Sequence, residues 1–144
     1  MQDISANITR LREATVLAIV EVSKPETIIA VLENRVPKGN VFEMDRVAGL
    51  FAVKNTSVQL PNSHPVSIEF TSIEYQVQGL QIHVLVTVKS VCKSDLEMEA
   101  MHGATIVALT LYDMLKAVDR GMRIEGVRLL AKSGGASGDF VADA

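Results

Sequence analysis

Residues 94–120 read SDLEMEAMHGATIVALTLYDMLKAVDR, and the way this stretch folds decides how the rest of the chain can be arranged. Its spacing predicts one long helix. Ser94 can cap the first turn and Glu97, three residues on, can close a capping box on it. Gly121 directly follows Arg120, where a left-handed C-terminal cap is easiest. Between those ends Met98, Met101, Ile106, Val107, Leu109, Leu111, Met114 and Leu115 spread around the helix instead of forming one stripe, so the helix is expected to be buried on more than one face or to lie between subunits. It also carries Glu97, Glu99, His102, Asp113 and Lys116. Asp113 and Lys116 are three apart and share a face. Charges on so apolar a helix must be paired, solvated or chemically employed; taken alone, ends that reach water explain them.

Working outward, Gln78-Gly79 turns the chain between two alternating runs. Before it come Val66, Ile68 and Phe70, then Ile73, Tyr75 and Val77 in the opposite phase, with a bulge expected at Thr71-Ser72. After it Leu80, Ile82, Val84, Val86 and Val88 alternate cleanly, a hairpin signature. Upstream, Arg12 to Val22 suits a buried strand. Ser23-Lys24-Pro25-Glu26 begins a helix running to Asn34, and Val41 to Lys54 makes a second. LPNSHP, residues 60–65, is a loop stiffened by two prolines. Arg123 to Ala131 is the last strand, before a Gly/Ser tail. The order β-α-α-β-β-α-β predicts an α+β, ferredoxin-like sandwich with an antiparallel sheet covered by helices on one face, residues 1–144 forming a single domain. The hairpin's other face mixes polar and small residues, compatible with packing on another subunit.

The bulk composition narrows the function. With 48% hydrophobic and 22% charged residues and a net charge of −3, the chain has no generic attraction for nucleic acid or an anionic membrane. No apolar run approaches a membrane span, and the N-terminal residues lack a signal-peptide pattern, so a cytoplasmic location is expected. The single cysteine, Cys92, excludes an internal disulfide or a Cys-based metal site and reads as a buried thiol. Walker A, GxGxxG and HExxH patterns are missing. Lys38 in PKGN and Lys132 in AKSGG sit beside glycines, where free backbone N–H groups could cradle phosphate, although a solvated lysine is the commoner outcome for either alone. His64, fixed between Asn62 and Pro65, is a better candidate than His83 or His102, which read as packing or partner contacts. Ser63 beside it reads as a loop hydroxyl.

The segments PKGNVFEMDRVAGLFAVKNT, LPNSHP, LEMEAMHGATIVALTLYDMLKA and VRLLAKSGG, with DISANITRLREA near the start, closely resemble the MoaC family of cyclic pyranopterin monophosphate synthases, in the family's order, from about Asp3 to Phe140. The resemblance implies an enzyme of molybdenum cofactor biosynthesis: a lyase that converts a 3′,8-cyclised dihydro-GTP into cyclic pyranopterin monophosphate and releases diphosphate. It also implies a ferredoxin-like hexamer, a trimer of dimers, with the active site at the dimer interface.

Carried over residue by residue, Lys38, Asp113 and Lys116 are the implied catalytic groups. Arg12, Ser63, His64, Glu97, Met98, Glu99 and Lys132 are the implied substrate-binding groups. No metal ligands are implied and no cofactor is required, while Mg2+ could accompany the triphosphate. Arg12, Lys38 and Lys132 suit a triphosphate and its departing diphosphate, and Lys116 beside Asp113 suits proton transfer. The chain departs from the family pattern at Asn40 (KGD becomes KGN), Ser63 (CHP becomes SHP), Asn7 and Ala136, where the family carries lysine at the last two. The contrasting expectations are a non-catalytic nucleotide-binding relative and a purely structural oligomer.

Overall fold

The computed structural model describes residues 1–143. Strand β1 (Arg10–Glu21) is followed by α1 (Pro25–Leu32), α2 (Val41–Lys54) and the short α3 (Thr56–Gln59). The hairpin β2 (Phe70–Gln78) and β3 (Gln81–Cys92) leads into α4 (Glu97–Leu115), then β4 (Arg123–Ser133) and β5 (Phe140–Val141). The sheet order is β2-β3-β1-β4-β5 and every pairing is antiparallel. The first four strands therefore lie in the order of a ferredoxin-like sandwich, and the fold class expected from the sequence holds.

Period-2 alternation does the sorting. Ala14, Val16, Ala18 and Val20 of β1 and Ile82, Val84, Val86 and Val88 of β3 are all fully buried, on the face covered by helices. The opposite face keeps Thr15, Leu17 and Ile19 of β1 beside His83, Leu85 and Thr87 of β3, all half-buried. Gly79, at φ +60°, occupies the first position of the two-residue turn closing Gln78 onto Gln81, the place where a hairpin needs positive φ.

Helix α4 packs on both the sheet and α2. The crossing with α2 is close because two glycines face it: a Cβ on Gly103 would stand 2.6 Å from Val53 Cγ2, and one on Gly49 would stand 2.7 Å from Val107 Cγ2. Buried Ala100, Ala104, Val107, Ala108 and Leu111 fill the layer. The helix still leaves Met98 and Leu109 exposed.

Several local expectations are corrected. The helix spans Glu97–Leu115, not 94–120, and Leu96, which precedes its first residue at the cap position, contributes no side-chain cap. Glu97 does not close a capping box: its Oε2 accepts from Lys132 Nζ at 3.1 Å, and an ion pair to a neighbouring strand outcompetes a local amide contact. Gly121 is not a left-handed cap either. The chain after α4 is stopped by Asp119, whose carboxylate accepts from Gly121 N, Ser23 N, Ser23 Oγ and Thr27 Oγ1 at 2.6–2.9 Å. No bulge falls at Thr71-Ser72; β2 and β3 stay in register from Phe70–Lys89 to Gln78–Gln81. Val66 and Ile68 pack on the core from a segment outside the strand, which produced the apparent slip. The register shifts lie instead between β1 and β4, at Thr15/Val16 and Ile19/Val20. The tail also contributes a strand, β5, pairing Phe140 with Lys132.

Candidate active site

Two groups of charged side chains stand at opposite ends of α4. At its N-terminal end a cleft of about 630 Å³ is lined by Arg12, Ser63, His64, Asp95, Met98 and Glu99, with Lys93, Ala136 and the N-terminal residues around them. β1 supplies Arg12 on its buried face, the proline-stiffened loop supplies Ser63 and His64, and the first turn of α4 supplies Met98 and Glu99.

Arg12 is almost completely buried, and each of its three guanidinium nitrogens has a partner. Nε donates to Cys92 O at 3.1 Å, Nη2 to Ile8 O at 3.2 Å, and Nη1 to Asp95 Oδ1 at 3.1 Å. Asp95 also reaches Lys132 Nζ at 3.5 Å, and Lys132 holds Glu97 at 3.1 Å. The contact with Glu97 first, and the charges of Glu97 and Asp95 after it, hold the Lys132 ammonium above its usual pKa against the opposing effect of burial. This makes it a fixed cation.

Glu99 lines the same cleft but is only 4% exposed. Burial pushes its carboxyl up to about 6, its own backbone N–H and the charge of His64 opposing the shift. A carboxyl titrating there can exchange protons near neutrality. His64 Nε2 lies 2.7 Å from Gln2 O. A carbonyl only accepts, so Nε2 carries the hydrogen.

The second group sits at the C-terminal end of α4. Lys38 Nζ donates to Asp113 O at 2.8 Å and Asp113 Oδ1 at 3.1 Å, and Lys116 Nζ lies 3.2 Å from the same oxygen. Hydrogen bonds from Lys38 and then Lys116 hold the Asp113 carboxyl below its ordinary value. Lys116 and Asp113 are each more than half exposed, so the apolar burial expected around this pair is not provided by the chain itself. Glu97 to Asp113 spans roughly 24 Å at about 1.5 Å of rise per residue. The ten residues singled out from sequence thus fall into two clusters, seven near the cleft and three remote from it.

The sequence model of the MoaC family matches residues 1–135. The chain belongs to the MoaC family. A curated relative, the cyclic pyranopterin monophosphate synthase of Aquifex aeolicus (strain VF5), is 41% identical over 138 residues, which is 96% of this chain and 54% of that protein. The chain therefore spans about half the length of this relative.

The departures from the family pattern have structural readings. Asn40 caps α2, its Oδ1 accepting from Glu43 N at 3.1 Å, a role that does not need the charge of the family's aspartate. Asn7 donates to Lys93 O at 3.1 Å, and Ala136 lines the cleft without a cation. Asp95 is the site residue that sequence reading missed. It lay inside the expected capping turn, and its pairing with Arg12, 83 positions away, leaves no local spacing signal. His83 and His102 engage Gln81 and Thr56 away from the cleft. Cys92 is half-buried with its thiol pKa raised, burial being the main cause. Among the described residues no cluster of three or more His, Cys, Asp or Glu could hold a metal, and no helix is long and apolar enough to cross a membrane.

Proposed function

We propose that this chain is a cyclic pyranopterin monophosphate synthase of molybdenum cofactor biosynthesis, converting 3′,8-cyclised dihydro-GTP to cyclic pyranopterin monophosphate with release of diphosphate. The observation that carries this reading is the cleft itself. A buried arginine, a paired lysine, a histidine and a carboxyl titrating near neutrality line or border one opening, in a chain 41% identical over 96% of its length to a protein of that name.

The chemistry suits the groups. Losing diphosphate to leave a cyclic monophosphate breaks the bond between the α-phosphorus and the oxygen bridging to the β-phosphorus. A substrate hydroxyl oxygen forms the new bond to the α-phosphorus, its proton passing to a base, while the departing oxygens need fixed cations. Arg12 serves this from the cleft and Lys132 from beside it. Rearranging the purine requires protons to be taken and returned; Glu99 accepts one at the cleft, and the ammonium of Lys116, oriented by Asp113 with Lys38, donates from the far cluster. Ser63 and His64 orient the substrate by hydrogen bonds, and Met98 offers an apolar wall.

One protomer cannot close both clusters on one substrate across the length of α4. The site is completed by a second copy, whose α4 C-terminal end meets the cleft of the first, and these dimers assemble further into a hexamer. The exposed Lys38–Asp113–Lys116 group, with the half-buried outer sheet face, supports this arrangement. Mg2+, where it takes part, arrives with the triphosphate. A reducing cytoplasm suits the free Cys92 thiol. Incubating the purified chain with the cyclised dihydro-GTP and detecting the pterin product and diphosphate tests the reading. Binding without turnover would assign the chain to the non-catalytic class instead.

A further inference from the structure

Asp95 stands between Arg12, which lines the cleft with it, and Lys132, which lies just beside the cleft. One oxygen takes Arg12 Nη1 at 3.1 Å and the other lies 3.5 Å from Lys132 Nζ. Arg12 Nε and Nη2 each donate to a backbone carbonyl, of Cys92 and Ile8, so Nη1 is the guanidinium nitrogen whose partner is a carboxylate. The Asp95 side chain is 34% exposed and lines the cleft. From the other side Gly135 of the glycine loop is packed so close that a Cβ there would collide with the Asp95 carboxylate. A single carboxylate thus sits between two cations and under a glycine loop, the surroundings a phosphate group would require.

We propose that Asp95 is a resident anion that competes with the substrate's phosphates for Arg12 and Lys132. It pairs with Arg12 and, alongside Glu97, with Lys132 while the cleft is empty, yields them when the triphosphate enters, and takes them back as diphosphate leaves. This rests on the reading that Arg12 and Lys132 face phosphate. Two like charges on one cation pair repel, so a phosphate can engage these cations fully only after Asp95 turns away. Because phosphate carries more charge and more acceptor oxygens than a carboxylate, the exchange runs forward with a triphosphate bound and is more easily reversed for the smaller diphosphate. Asp95 therefore acts on affinity and on product release.

The test uses inorganic tripolyphosphate and diphosphate as probes on the full chain, by calorimetry and thermal unfolding. Asp95→Asn is expected to bind tripolyphosphate about tenfold more tightly than wild type and to be inhibited more strongly by diphosphate. Its Tm, lowered in plain buffer because the buried Arg12 loses its counter-charge, should rise on adding tripolyphosphate by more than the wild-type Tm does. Glu33→Gln, which removes one negative charge far from the cleft, should leave the affinity unchanged. Equal or weaker tripolyphosphate binding by a folded Asp95→Asn protein, or no binding by either protein, overturns the proposal. If that variant fails to fold, the side-chain carboxyl ¹³C resonance of Asp95 in the wild type decides: it must shift when tripolyphosphate is added, and a static resonance overturns the proposal. Tighter binding without any pterin formation leaves this inference standing and removes the assigned activity, whereas turnover with unchanged affinity removes this inference alone.

Discussion

Asp45, on the buried side of α2, is fully enclosed, and neither of its carboxylate oxygens has a hydrogen-bond partner. Burial pushes its pKa up to about 8, only partly opposed by the neighbouring Arg46, and the Tyr75 phenol is close enough to feel its charge. The folded chain therefore holds this proton where the unfolded chain has released it. Stability is greatest below the ordinary aspartate value, falls as pH rises from about 4 to about 8, and then levels off, the loss being about 1.4 kcal/mol per pH unit inside that window. Asp45→Ala should unfold at higher denaturant than wild type at pH 8 and lose that advantage near pH 4; parallel pH profiles for the two proteins would contradict the assignment. Glu99 makes a kinetic prediction of the same kind. With its carboxyl raised to about 6, the acid limb of kcat/KM should fall near pH 6 and disappear in Glu99→Gln along with most of the rate. A limb unmoved in the variant would take the proton-accepting role away from Glu99. Neither shift was visible in sequence. Asp45 stands in FEMDR among ordinary helix-surface residues, and only the packing of α2 on its neighbours encloses it.

Among the elements, α4 depends on what holds its two ends. Burial would raise the pKa of Asp119, but the Ser23 hydroxyl and amide, with Thr27 and the Gly121 amide, outweigh that and hold it below the usual value. Its contribution is present above the unfolded value and lost as pH falls through the lower folded one. Asp119→Ala should cost about 3 kcal/mol in urea unfolding at pH 7, by freeing the start of α1 and the end of α4 together; a change near zero would show that the four hydrogen bonds are replaceable. Gly103→Ala should cost about 1–3 kcal/mol by pressing on Val53 and spreading α2 from α4;. Strand β3 and helix α2 were legible from local pattern, the latter to its terminal residues 41 and 54. The ends of α4 were not, because Glu97 and Asp119 spend their carboxylates on partners 35 and 96 positions away. The short β5 has no hydrophobic pattern of its own and exists only by pairing with β4.

At the scale of the molecule, the order of elements was enough to reach the ferredoxin-like topology, and the motif residues were enough to reach the family. The geometry of the site was not contained in either. Sequence placed E-M-E and Y-D-M-x-K in one helix, and that same continuity puts them about 24 Å apart, so a single chain separates the residues its motifs associate. The isologous pair of subunits proposed above would resolve this, each presenting its cleft to the other's Lys38–Asp113–Lys116 group. Lys116→Ala and Lys132→Ala should each lower turnover by about 100-fold or more, one disabling the group at the C-terminal end of α4 and the other the cation beside the cleft. Co-expressing the two variants and measuring pterin formation from the cyclised dihydro-GTP tests the whole account in one assay. Shared sites predict that the mixed assembly recovers about a quarter of wild-type activity, because half of the dimers are mixed and half of their sites are intact; a mixture as inactive as its parents would contradict it.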